Sequence, residues 1–233
     1  MAEVGTGQQE VSEVKNPENN NYKEIKPENG TTPGEARFFW DTTFEKEDES
    51  EETSQETSEG EAPENPYTET KDGETYYYDD NGKLYRVGKE LAPNSEYELN
   101  GYKYKTDEKG RIISAEGNLH LKNREGRLKI RDTIDDIGKG DQKEGDDRGH
   151  LIGDQFDGSN GLENMIPQDA DINEKDFRNF ENELADEVRA GKEVYMKVEP
   201  IYEGDSRRPV AIVVTYSIDG EESVRVFPNG KEE

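Results

Sequence analysis

His150 is one of two histidines in a chain of 233 residues, and it directly follows Asp147-Arg148-Gly149. Histidine is the side chain whose ordinary pKa, about 6.5, lets it take a proton from water near neutral pH. Hydrolysis of a phosphodiester needs such a base. It also needs something to stabilise the charge that builds around phosphorus, and a divalent cation does this well. Mg²⁺ prefers oxygen ligands and keeps several waters, so one rigidly placed protein oxygen can suffice to hold it. Such oxygens follow in "ENMIPQDADINEKDF", which contains Asn164 and Asn173, with Glu181 eight residues beyond Asn173. Taken singly, a histidine in a strand usually packs, an asparagine before a helix usually caps, and a glutamate on a helix is usually solvated. Their joint spacing is what suggests chemistry.

The elements that must hold these residues can be read from periodicity. In "EKDFRNFENELADEVRA", residues 174–190, Phe177, Phe180, Leu184 and Val188 form one apolar stripe on a polar helix. Asn173 stands at the expected N-cap and Gly191 at the expected C-cap. That would fix the Asn173 side chain at a helix start, near the end of the strand carrying His150, with Glu181 two turns further along. "EVYMKVEPIY" and "RPVAIVVTYSI" read as long strands joined near Gly204-Asp205. Earlier, Asn81-Gly82 predicts a hairpin with a type I′ turn, and "NGYKYKTDEKGRIISAEG" repeats the pattern around Lys109-Gly110. The two hairpins look like a small duplicated unit. Strands on both sides of one helix predict an α+β domain over residues 72–229.

Composition sets the remaining bounds. The net charge is −27, with 28% hydrophobic and 37% charged residues, too polar for a packed globule throughout. Residues 1–70 hold 19 acidic and 5 basic residues and include "FEKEDESEETSQETSEGEAPENP". Such a stretch buries too little apolar surface to offset its ordering entropy and predicts a disordered acidic tail or linker. Its one interruption, "ARFFWDTTF" at 36–44, reads as a patch docking on the domain or a short partner-binding motif. The absence of cysteine excludes disulfides and thiolate metal sites. The N-terminus has no signal-peptide pattern, and no apolar run approaches the roughly 20 residues that span a bilayer. An acidic protein should repel phosphates, but "LKNREGRLKIR" sets Lys122, Arg124, Arg127, Lys129 and Arg131 against Glu125 alone. This strip, with Arg207 and Arg208, is the candidate phosphate-binding surface. A solvated strand edge is the plainer explanation of it.

Asp147-Arg148-Gly149-His150, followed by Asn164-x-x-Pro167-Gln168, Asn173 and Glu181, resembles the signature of the DNA/RNA non-specific endonucleases, the ββα-metal or His-Me finger nucleases. The likeness covers roughly residues 88–220. Its flanks are similar to C-terminal toxin domains of bacterial polymorphic toxins. The resemblance implies a ββα-metal core with an antiparallel sheet and a sequence-nonspecific endonuclease using Mg²⁺, with Mn²⁺ as a substitute. It implies His150 as general base, Asn173 as the metal ligand and Glu181 orienting metal-bound water. Asn164 would support the histidine or contact phosphate, and Asp147 and Arg148 would brace the motif, Arg148 near the scissile phosphate. Secreted members carry an arginine four residues past the glutamate. Ala185 stands there, so leaving-group stabilisation would fall to Arg178, Arg207 or Arg208. The resemblance also implies DNA, RNA or both as substrate, an immunity protein, no membrane, and synthesis in a bacterial cytoplasm followed by specialised secretion. The competing reading is a non-catalytic acidic protein of nuclease-like fold, a nucleic-acid mimic or adaptor, which would have no need of an intact His150, Asn173 and Glu181 set. A calcium loop over 169–180 is excluded by Glu174 where glycine is required and Phe180 where glutamate is required. Zinc is disfavoured by the 30-residue separation of His120 and His150.

Overall fold

The computed structural model describes residues 66–230 together with the backbone of residues 13–15 and 21–23. By compactness the chain divides into residues 1–39 and 40–233. In the first unit, β1 (Glu13–Lys15) pairs antiparallel with β2 (Asn21–Lys23). The rest of the expected tail before residue 66, including residues 36–44, lies outside the described residues.

In the second unit, β3 (Tyr67–Lys71), β4 (Glu74–Tyr78), β5 (Leu84–Val87) and β6 (Glu90–Leu91) form a four-stranded antiparallel sheet in chain order. Then come β7 (Glu96–Leu99), β8 (Tyr102–Thr106), β9 (Ile112–Asn118), an irregular stretch, and the short helix α1 (Ile134–Gly138). β10 (Asp146–His150) and β11 (Met165–Asp169) form a separate antiparallel ribbon. A π-helical turn over Ile172–Phe177 continues into α2 (Arg178–Arg189). β12 (Val194–Ile201), β13 (Ala211–Ile218) and β14 (Glu221–Pro228) complete a six-stranded sheet ordered β14-β13-β12-β9-β8-β7. Antiparallel sheets with few helices agree with the α+β expectation. The sequence reading named two strands after the helix; β14 is a third.

Strand alternation explains the core. Along β12, Val194, Met196 and Val198 are buried while Tyr195, Lys197 and Glu199 are only partly covered, the two-residue period of a sheet with one packed face. The helix stripe closes the other side. Phe177, Phe180 and Leu184 are buried, and the Phe180 ring meets Tyr216 edge-on at 5.1 Å between centroids.

The two hairpin loops are built alike. Asp79 Oδ1 accepts the N–H groups of Asn81 and Lys83, and Asp107 Oδ1 accepts those of Lys109 and Arg111. Gly82 N–H reaches Asp79 O, and Gly110 N–H reaches Asp107 O. Neither is a type I′ turn: only Gly82 (φ 75°) and Gly110 (φ 70°) are left-handed in their loops, with the aspartate carboxylate organising the rest. The likeness seen in the sequence is therefore a shared Asp-based loop, offset by 28 residues.

Candidate active site

His150 ends β10, opposite Met165 on β11. The ribbon is close-packed beneath it: a Cβ on Gly149 would run into the buried Gln168 side chain, which accounts for glycine before the histidine. The His150 residue is 8% exposed, and its ring has no hydrogen-bond partner among the described residues. The turn after it is fixed by Asn164. Its Oδ1 accepts Ile152 N–H at 3.0 Å, and its Nδ2 donates to Ile152 O and Ser159 O, both at 2.8 Å. Asn164 is fully buried, with its side chain engaged on the turn that follows His150.

That turn delivers Gly153 against Glu181 on α2. A Cβ on Gly153 would collide with the Glu181 carboxylate. Glu181 is partly exposed as a residue, but Oε1 is enclosed without a hydrogen-bond partner. Burial lifts its pKa to about 8, against the opposing pull of the Gly153 N–H and Arg127. Burial, with Arg127 next in weight, depresses His150 to about 4, opposed by Asp154. His150 is therefore neutral and able to accept a proton at neutral pH, and Arg127 acts on both groups.

These shifts have opposite signs for stability. Above about pH 4.5 the folded protein holds the Glu181 proton more tightly than the unfolded chain does. Stability from this group is therefore lost as pH rises from about 4.5 to about 8. Glu181→Gln should stabilise the metal-free protein by about 1–3 kcal/mol at pH 8 and leave it unchanged at pH 4.5. Urea unfolding at the two pH values checks this, and equal effects at both would contradict a raised Glu181.

Asn173 is not an N-cap. It lies inside the helical run, and Asp169 caps that run: its Oδ1 accepts the N–H groups of Asp171 and Ile172 at 3.0 and 3.3 Å. Asn173 instead donates Nδ2 to Asp147 Oδ2 at 3.1 Å, leaving its own Oδ1 free of hydrogen bonds among the described residues. Among those residues no cluster of three or more His, Cys, Asp or Glu could hold a metal. A free amide oxygen, the Asp147 carboxylate and the unpartnered Glu181 Oε1 are hard donors, few in number, and they fit a cation that keeps most of its waters.

The basic strip is largely engaged. Lys122 and Arg124 pair with Asp154, at 2.5 and 2.7 Å, Arg124 also reaches Asp157, and Arg131 pairs with Glu163. The strip is irregular chain, so neither a strand edge nor a row of free cations describes it. Arg127 is exposed and has no ion pair among the described residues. Arg208 is buried in a bidentate pair with Asp146 and donates to Asn229 O. Arg207 is spent on Lys109 O. Both guanidiniums are thus engaged, Arg178 is exposed at the start of α2, and the cation whose charge weighs most on both His150 and Glu181 is Arg127. Arg148 is exposed and anchored through Nη1 to Asp132 O at 3.0 Å.

A family model for DNA/RNA non-specific endonuclease matches residues 93–220, more than half of the chain. The chain belongs to this family. It is similar to the Type VII secretion system protein EssD of Staphylococcus aureus strains USA300 and NCTC 8325, 33% identical over 230 residues, covering 94% of this chain and 35% of each relative. The endonuclease chain thus spans about a third of the length of the curated relatives it matches. A solved structure of Sda1 nuclease with bound zinc ion is 31% identical over 36% of this chain and 40% of that one, with a TM-score of 0.33.

What the sequence did not reveal in this endonuclease is the support behind Arg148. Arg86 on β5, outside the matched residues, is 1% exposed and bridges the carboxylates of Asp132 and Glu163. Asp132 carboxylate also accepts Leu162 N–H at 2.8 Å. The partners are separated by 46 and 77 residues, so no local pattern could show them.

Proposed function

We propose that the chain is a metal-dependent, sequence-nonspecific endonuclease that hydrolyses phosphodiester bonds in DNA, RNA or both. The carrying observation is a neutral, unbonded His150 ring at the end of β10 and an enclosed Glu181 carboxyl against Gly153, three residues on, both under the field of Arg127, on a strand, strand and helix succession that also presents Asn173. This arrangement supports the ββα-metal reading over that of an acidic mimic. His150 takes the proton from the attacking water. Asn173, with Asp147 behind it and Glu181 beside the site, would hold Mg²⁺, or Mn²⁺ in its place. The bound ion would supply Lewis-acid stabilisation of charge on the phosphoryl oxygens. Arg127 meets the phosphate in the role for which the sequence offered Arg178, Arg207 or Arg208, and Arg148 steadies it from β10. Arg124 and Arg131, already paired, add a weaker and salt-sensitive attraction.

The metal assignment is tested at Asn173. Asn173→Ala should raise the Mg²⁺ concentration needed for half-maximal cleavage by about tenfold or more while costing about 0.5–1.5 kcal/mol of stability, the scale of the lost hydrogen bond to Asp147, since Asp169 carries the cap. Asn173→Asp keeps an oxygen and should recover more activity at saturating Mg²⁺ than the alanine variant. Equal loss in both variants, independent of Mg²⁺, would reduce Asn173 to a structural role.

The likeness to a type VII secretion protein supports a toxin domain that is exported by such a system. Appearance outside cells only when that apparatus is intact is the corresponding test. A cell making this enzyme needs an immunity protein. With Arg127, Arg148 and Arg178 among the exposed cations of the elements that carry the site, that partner is acidic and competes with nucleic acid there. Arg127→Glu should weaken its binding at least about tenfold by calorimetry; unchanged affinity would place the inhibitor away from the site.

A further inference from the structure

The irregular stretch that carries Arg127 also borders a cleft of about 290 Å³, close to the lower size of ligand sites. One wall is the sheet β3–β6, which lies before the residues matched by the family. Tyr67 and Tyr78 are cross-strand partners, and their rings stack with centroids 4.5 Å apart and planes 9° apart. The strand register shifts between Tyr77 and Tyr78, and both of these successive side chains line the cleft. The other wall includes Leu128, which is 42% exposed, and Arg131, whose guanidinium lies 5.8 Å from the centroid of the Tyr77 ring. Glu69, the carboxylate that accepts the Tyr78 hydroxyl at 3.5 Å, is itself paired with Lys71.

Flat aromatic faces beside a cation, in a narrow partly open cleft, suit nucleobases. Bases stack on aromatic rings whatever their sequence, while the cation follows the backbone. Leu128 directly follows Arg127, so the cleft and the hydrolytic site share one segment of chain. Paired bases are enclosed within a duplex and cannot enter such a cleft.

We propose that the cleft is a base-binding subsite that takes an unpaired strand, its bases stacking at Tyr67 and Tyr78 and its phosphates passing Arg131 toward Arg127. The proposal rests on the endonuclease reading and names which form of substrate the site holds best.

The test uses the full chain carrying His150→Ala, to prevent cleavage, and the anisotropy of labelled oligothymidylate, oligouridylate and a blunt DNA duplex. Tyr78→Leu and Tyr67→Leu should each weaken both single strands about tenfold, the scale of one lost stacking contact, and leave the duplex within twofold. Tyr78→Phe keeps the ring and should bind like the parent. The two single strands report whether ribose or deoxyribose is preferred. Equal weakening of duplex and single strands, no weakening, or a phenylalanine variant as weak as leucine would overturn the proposal. So would concentration-dependent self-association abolished by the same leucine variants, which would give the face to a second copy. If the leucine variants lose the parent circular dichroism, Tyr78→Trp replaces them and should bind single strands at least as tightly as the parent; weaker binding overturns the proposal. Plasmid cleavage by the unmodified protein separates the two claims. No cleavage defeats the endonuclease reading, whereas cleavage with single-strand binding indifferent to Tyr67 and Tyr78 defeats only the subsite.

Discussion

His150→Ala should lower kcat at least about a hundredfold, the scale of lost general-base catalysis, with the circular dichroism of the parent retained. The ring sits at the end of β10 with no hydrogen-bond partner among the described residues, so its removal costs packing but breaks no network. His120→Ala should leave kcat within about twofold. His120 is exposed; its ring stacks on Tyr102 with centroids 5.1 Å apart and its Nδ1 lies 3.2 Å from the Tyr102 hydroxyl, contacts that tie it to β8. The pH profile adds a signed test. With His150 depressed to about 4, kcat/KM for the free enzyme should hold to low pH and fall as pH drops through about 4. Arg127 is one cause of that depression, so Arg127→Ala should move the acid limb to higher pH as well as reduce the rate. An essential His120, or an acid limb that Arg127→Ala leaves in place, would remove His150 from the proposed role.

The largest loss of stability is expected at Arg86. Arg86→Ala should cost about 3–5 kcal/mol in urea unfolding, the scale for breaking a buried ion pair by removing one partner. The guanidinium donates to Asp132 at 2.6 and 2.8 Å, to Glu163 at 2.8 Å and to Gly88 O at 2.8 Å, and it lies 4.3 Å from the Tyr77 ring centroid. Without it, Asp132 and Glu163 would be buried carboxylates facing each other with only the flanking Lys89 and Arg131 as cations. The hydrogen bonds from Arg86 and Lys89 hold the Asp132 carboxyl well below the usual carboxylate range against the cost of burial. Its contribution is therefore complete above the unfolded pKa of about 3.9 and lost as pH falls below it. Arg86→Lys should recover only part of the loss, because one ammonium cannot span both carboxylates and the Gly88 carbonyl. The effect should reach the site, since Asp132 O anchors Arg148 and Glu163 adjoins Asn164. A cost below about 1 kcal/mol would show that the network is not what joins the small sheet to the β10–β11 ribbon.

The elements that carry the proposed site residues were legible because they sit in short, contiguous patterns. The apolar stripe from Phe177 to Val188 gave the helix, and the strand carrying His150 followed from its motif. Asn173 misled because "DADIN" offers three capping residues at alternate positions. The π-helical turn sets Asn173 inside the run and gives the cap to Asp169, a choice that local propensity does not make. The strip from Lys122 to Arg131 looked free because its neutralising partners, Asp154, Asp157 and Glu163, lie roughly 30 residues further along and come back only through the fold. Arg86 carried no signal for the same reason at longer range. The Asp-based loops at Asp79 and Asp107 were visible as a likeness, yet their turn type depended on side-chain hydrogen bonds that the Asn-Gly pattern does not encode.

His150, Asn173 and Glu181 are proposed to form one metal-dependent hydrolytic site. The most direct measurement is the conversion of closed circular DNA, and of a folded RNA in parallel, by the purified full chain in Mg²⁺. Nicking and then degradation of at least one of the two is expected without sequence preference, abolished by a chelator, restored by added Mg²⁺ and absent in His150→Ala. Cleavage that persists in excess chelator, or that His150→Ala leaves intact, or no cleavage of either nucleic acid in Mg²⁺ or Mn²⁺ by a folded protein, would contradict it.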